Sequence, residues 1–132
     1  MSATERQRLG RFGEDAVIRR YVELGFAVVA RNLHQSHNEI DLILQNETHL
    51  VFVEVKTRHA VPGVRSRYGR PADAVNKAKR IRTVEAARAY LREHPTARQP
   101  RIDVAEVYVS RRTDGTDEIT EIRLFHNAFG AR

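Results

Sequence analysis

The chain has 132 residues, 41% of them apolar and 30% charged, a balance that fits one globular domain with its own core. Cysteine is absent, which excludes a disulfide framework and a thiolate metal site; with no signal-like apolar N-terminus and no apolar run of membrane-span length, a cytoplasmic protein with no membrane partner is expected. The net charge is +6 and uneven: residues 58–101 hold twelve Lys or Arg against three acids, a net of +9 that suits a phosphate-rich partner.

Residues 4–24 predict a helix, capped by Thr4 and stopped by Gly25, with Leu9, Phe12, Gly13, Ala16, Val17, Tyr21 and Leu24 on one broad face. Glu14 lies at the edge of that stripe. FAVVA (26–30) reads as a short strand, and Arg31 to Asn38 as a polar turn or strand end that leaves His34 and His37 on the surface. EIDLILQNETHLVFVEVKTR (39–58) reads as a two-stranded hairpin. Residues 58–72, with two Gly, two Pro and four Arg, predict a long basic loop. A second helix is expected from Asp73 to Glu93, with Val75, Ile81, Val84, Ala87 and Leu91 apolar and Lys79 and Arg82 on the other side of the wheel. RIDVAEVYVS (101–110) and ITEIRLF (119–125) read as strands around a turn at Asp114-Gly115. Asp103 beside Arg101 suggests a structural ion pair, and Phe129 an anchor for the tail. The order of helix, three strands, helix and two strands predicts an α/β or α+β domain over residues 1–132. Its centre would be a mixed sheet of about five strands flanked by helices. The second helix would serve as a crossover that sets the fourth strand parallel to an earlier one.

The hairpin carries the chemistry. With a two-residue turn at Glu47-Thr48, Ile40, Leu42 and Leu44 share an aliphatic face with Val51, Val53 and Val55. The opposite face pairs Gln45 with Leu50, Ile43 with Phe52, Asp41 with Glu54 and Glu39 with Lys56. Two carboxylates then stand opposed with β-carbons about 5 Å apart, a destabilising arrangement unless something positive lies between them. A divalent cation such as Mg²⁺ or Mn²⁺ would supply that, and so would a proton on one carboxyl. Lys56, two residues beyond Glu54 on the same face, can donate to an anion held there. The turn lacks glycine, so a four-residue loop that sets Glu39 opposite Glu54 is the competing register. Two acids, a lysine and a cation suit phosphodiester hydrolysis. The plainer reading makes Glu54 and Lys56 solvent-facing charges on an edge strand.

Asp41 followed by Glu54-Val55-Lys56 on the next strand resembles the PD-(D/E)XK nuclease superfamily. More closely, the chain resembles the YraN-like family of small bacterial predicted nucleases, which are similar to archaeal Holliday junction resolvases. GRFGEDA (10–16), RN (31–32), EIDLI (39–43), FVEVKTR (52–58), PADAVNKAK (71–79), RIDV (101–104) and HNAF (126–129) carry the likeness in order. Ile40 stands where the superfamily's proline would be, and Asn38 where a glycine is expected. The resemblance implies a restriction-endonuclease-like core and an Mg²⁺- or Mn²⁺-dependent endonuclease acting on DNA, with branched or structured DNA suggested by the resolvases, which work as homodimers. It implies that Asp41 and Glu54 hold the metal and that Lys56 serves the water or the transition state. Glu14 would bind metal through water or at a second ion, and Lys79 would assist at the scissile phosphate. Arg58, Arg65, Arg67, Arg70, Lys77, Lys79 and Arg82 would grip the DNA backbone. The rival functions are a non-catalytic nucleic-acid-binding module on the same fold and an adaptor for an acidic protein.

Overall fold

The computed structural model describes residues 2–35, 37–60 and 77–128. The expected basic loop from residue 61 onward, the helix start at 73–76 and Phe129 lie outside the described residues, as do Arg65, Arg67 and Arg70. Helix α1 spans Ala3–Glu23. Ser2, not Thr4, is its cap: the Ser2 hydroxyl accepts from the Glu5 amide at 3.1 Å. The Ser2-Ala3-Thr4-Glu5 run has the spacing of a capping box, which places the start two residues earlier than the expected one. Beyond the Leu24 cap the chain turns at Gly25, whose φ of +94° is a conformation open to glycine without strain.

The five strands are β1 (Ala27–Gln35), β2 (Asn38–Gln45), β3 (His49–His59), β4 (Gln99–Arg111) and β5 (Asp117–Phe125), adjacent in that order. All neighbours are antiparallel except β3 and β4, which are parallel. Helix α2, Lys77–Glu93, lies between those two in sequence, so the sheet is mixed as expected. Strand β1 is longer than the FAVVA run because Arg31–Gln35 continue the pairing with β2. No helix among the described residues is long and apolar enough to cross a membrane.

One helix covers each face of the sheet. On one side Leu9, Val17 and Tyr21 of α1 pack with Leu42, Leu44, Val51, Val53, Ala105, Val107 and Val109. On the other, Ala86, Ala87 and Tyr90 of α2 pack with Ile43, Leu50, Phe52 and Ile102. A fully buried Val, Leu or Ile contributes about 2 kcal/mol, so these two layers hold the sheet between its helices. Two expected core positions are outside it. Leu24 is exposed because the helix has already ended, and Ile81 is exposed because α2 seats on its small residues, Ala86 and Ala87, near its C-terminal half.

A second, polar fastening ties the chain end to the α1 side. Asp103, fully buried, accepts from Tyr21 Oη at 2.6 Å, from Arg101 at 2.9 and 3.0 Å and from the Asn127 amide at 2.9 Å, and His126 Nδ1 lies 2.8 Å away. The expected Arg101–Asp103 pair is therefore one part of a saturated network. Burial and the neighbouring carboxylate push the Tyr21 hydroxyl pKa up, which keeps it a donor. Tyr21→Phe is expected to lower stability by about 2 kcal/mol, the scale of a buried hydrogen bond to a charged acceptor. Urea unfolding checks this, and an unchanged midpoint would show that the network is decoration.

Candidate functional site

The hairpin folds in the expected two-residue register: Leu42 faces Val53, Ile43 faces Phe52, Leu44 faces Val51 and Gln45 faces Leu50. Asn46 supplies what a glycine would. Its side chain accepts from the amides of Thr48 at 2.9 Å and His49 at 2.7 Å, closing the turn around Glu47-Thr48.

The ladder then stops one pair short of Asp41 and Glu54. Strands β2 and β3 part there, and the Asp41 side chain fills the gap, its Oδ2 accepting from the Val55 amide at 2.9 Å. Asn32, across from Asp41 on β1, adopts a φ of 50°, and the β1–β2 pairing passes over these two residues. Alternation breaks at this point. Ile40 packs with the α2-side residues and with Leu33, not with Leu42 and Leu44 as expected. An irregularity of this kind re-aims side chains at a sheet end, and here it turns the Asp41 carboxylate toward β3.

Glu54 is buried, with its side chain 4% exposed. Two ammonium groups reach its Oε1: Lys79 at 3.0 Å and Lys56 at 3.5 Å. Lys79 thus points under α2 toward the sheet, contrary to its expected place on the outer side. The first turns of α2 overhang the open end of β3, where no apolar strand residues remain to be covered. Asp41 is raised from its ordinary 3.8 to about 7, first by burial and then by the Glu54 charge, against the lowering bond from Val55. Glu14 also acts on it through space.

Helix α1 brings Glu14 to this end because it approaches β3 closely. A β-carbon at residue 13 would run into the Thr57 hydroxyl, so only glycine permits the contact. Glu14 Oε1 is held by Arg31 at 3.2 Å and Asn32 at 3.3 Å. The roles of Arg31 and Asn32 were not assigned from sequence, although RN was one of the motif pieces. Glu39 is exposed opposite His34, and Lys56 pairs with Glu54 instead. Lys77 and Arg82 are exposed on α2, and Arg58 is half-buried beside Tyr108.

Asp41 and Glu54 are oxygen donors on adjacent strands, and the high proton affinity of Asp41 marks a spot that favours positive charge. That donor set fits a hard divalent cation. Among the described residues no three His, Asp or Glu side chains come together as a ready ligand set, and the Glu14 oxygen is engaged by Arg31 and Asn32. The arrangement presents two carboxylates and two lysines at one point, with Asp41 favouring its protonated form.

Asp41 binds its proton more tightly in the folded protein than in the unfolded chain. Its contribution to the stability of metal-free protein is therefore full below about pH 4 and lost as pH rises through about 7. Urea midpoints measured across that range should fall for the wild type relative to Asp41→Asn, which still accepts from Val55. Parallel curves would show that Asp41 is an ordinary surface acid.

Residues 13–107 match the uncharacterised protein family UPF0102. A UPF0102 protein of Symbiobacterium thermophilum is 40% identical over 126 residues, covering 95% of this chain and 98% of the relative. One of Frankia casuarinae is 42% identical over 118 residues, covering 87% and 92%. Among solved structures, Pyrococcus furiosus SfsA in complex with Ca²⁺ superposes with a TM-score of 0.51 at 13% identity, over 88% of this chain and 63% of that one. The chain thus spans just under two thirds of SfsA, and the likeness shows the fold.

Proposed function

The chain belongs to the uncharacterised protein family UPF0102, and for it we propose metal-dependent hydrolysis of phosphodiester bonds in DNA, as an endonuclease using Mg²⁺ or Mn²⁺. The observation that carries this reading is the convergence of Asp41, Glu54, Lys56 and Lys79 where β2 and β3 part. Burial and repulsion make the two acids a poor structural choice and a good cation seat. The fold neighbour SfsA was solved with Ca²⁺, a hard cation of the same class.

In this reading Asp41 and Glu54 hold the cation. When bound, it would polarise the phosphate and make its water more acidic. The Val55 amide keeps Asp41 aimed. Lys56 and Lys79 face the charge that grows on the phosphoryl oxygens, and Lys56 also orients the attacking water. Arg31 and Asn32 fix Glu14 at the rim, where it would act on the cation through water. The exposed Lys77 and Arg82 on α2 continue the positive surface along the DNA backbone. The resolvase likeness favours a branched substrate and a homodimer to cut it.

Cleavage of single-stranded, duplex, flap and four-way DNA with Mg²⁺ or Mn²⁺ tests the proposal. Asp41→Ala and Glu54→Ala should lose both cleavage and calorimetric cation binding. Lys56→Ala should keep cation binding and lose about a hundredfold or more in kcat. Wild-type protein that binds neither cation and cuts none of these substrates overturns the reading. DNA binding without cation dependence would instead support the non-catalytic module.

DNA affinity should fall steeply with salt, since each phosphate contact releases about one counterion. Lys77→Ala with Arg82→Ala should weaken binding to all sequences alike and flatten the slope of log Kd against log salt by about two. An unchanged slope would remove α2 from the interface.

A further inference from the structure

The proposed chemistry makes no use of Glu106, a carboxylate only 2% exposed in the middle of β4. The parallel ladder sets it beside Lys56 of β3, and the antiparallel ladder sets it beside Arg123 of β5. Each strand gap is about 4.8 Å. Lys56, Glu106 and Arg123 thus form a row on the face that carries Glu54. Both cations are turned elsewhere: Lys56 Nζ lies 3.5 Å from Glu54 Oε1, and Arg123 Nε lies 2.9 Å from Glu121 Oε2. Glu106 Oε2 is shut away from solvent, and no hydrogen bond reaches it among the described residues. A buried carboxylate oxygen in that state is costly. Its persistence calls for a group that can come to it.

We infer that Glu106 is a second seat for Lys56, a positioning residue that receives the ammonium when a divalent cation occupies the oxygens of Glu54. This rests on the metal-dependent reading above. Glu54 Oε1 holds two ammonium groups in this structure, and a cation arriving there repels both. Lys79 is partly exposed at the start of α2. Lys56 rises from the middle of a strand, and Glu106 is its neighbour in the ladder. A short swing across one strand gap keeps Lys56 paired and beside the phosphate. Arg123 feels the Glu106 charge through space, but its Nε is bonded to Glu121, and no hydrogen bond joins it to Glu106 Oε2.

The experiment titrates Mn²⁺ alone into metal-free protein by calorimetry and measures cleavage kinetics beside it. Glu106→Gln, which keeps the side-chain shape, is expected to bind Mn²⁺ about tenfold more weakly, with kcat reduced and KM nearly unchanged. In the double variant Glu106→Gln with Lys56→Met, Mn²⁺ affinity should equal that of Lys56→Met alone, because the loss runs through Lys56. Glu106→Asp should recover part of both losses, and it carries the same comparison if Glu106→Gln does not fold. Wild-type affinity and kcat in Glu106→Gln would overturn the inference, as would an equal loss of affinity with Lys56→Met present, the mark of a merely structural role. A wild type that binds no Mn²⁺ defeats the nuclease reading and this one with it. A wild type that binds and cleaves, matched by Glu106→Gln, defeats this one alone.

Discussion

The site depends on an interruption in the backbone ladder. Up to Leu42 and Val53 the hairpin is an ordinary antiparallel pair with both faces packed under helices. One residue further, the backbone partner of β3 is replaced by a side chain, with the Asp41 carboxylate accepting the Val55 amide. Buried amides demand an acceptor, so this exchange closes the sheet without further pairing. It also fixes a carboxylate at the mouth of two diverging strands. Asp41 therefore has two duties, ending the ladder and charging the site. That explains how an acid with a strongly raised pKa persists there.

Both helices converge on the same end, for opposite reasons. Helix α1 comes down because residue 13 has no side chain, which lets the helix rest on Thr57 and delivers Glu14 with its guard of Arg31 and Asn32. Helix α2 seats on Ala86, Ala87 and Tyr90 in its later turns, so its first turns overhang the sheet and Lys79 reaches down to Glu54. The first helix brings negative charge and the second positive. Between them lies the charged end of β3, where alternating Glu54, Lys56 and Arg58 replace the Leu50 and Phe52 of the packed half.

Much of this was legible in the residues. The alternation of Leu42, Leu44, Val51 and Val53 against Ile43, Leu50 and Phe52 fixed which residues share a face, because a slip by one residue would have buried the wrong set; the two-residue shift of a longer loop keeps those faces, and the turn closed by Asn46 decides against it. What was not legible came from local backbone choices that no period encodes. Asn32 is left-handed opposite Asp41, beside the point where Ile40 passes to the other core, and Ser2 caps α1 by accepting from the Glu5 amide. Ile81 looked like core, and its exposure reflects where α2 touches the sheet. That is a tertiary fact which the helical wheel does not contain. Lys79 was misplaced by the same wheel: its ammonium lies 3.0 Å from Glu54, on the sheet side of α2.

The fold holds two kinds of buried acid, and their contrast separates architecture from chemistry. Asp103 lies on the α1 side with hydroxyl, guanidinium and amide donors around both its oxygens and an imidazole nitrogen at one of them. Nothing more can be added to it, so it serves as a rivet. Glu54 carries two lysines on a single oxygen, Asp41 has one amide and a tendency to hold a proton, and Glu106 keeps an oxygen that no described residue donates to. A structural role would favour saturation at all four, since unsatisfied buried charge only weakens a fold. Asp41, Glu54 and Glu106 are left incomplete, and Lys56 stands beside both Glu54 and Glu106. The sheet thus gives up stability around Glu54 and its strand neighbours, on groups whose missing partners must come from a ligand or from one another.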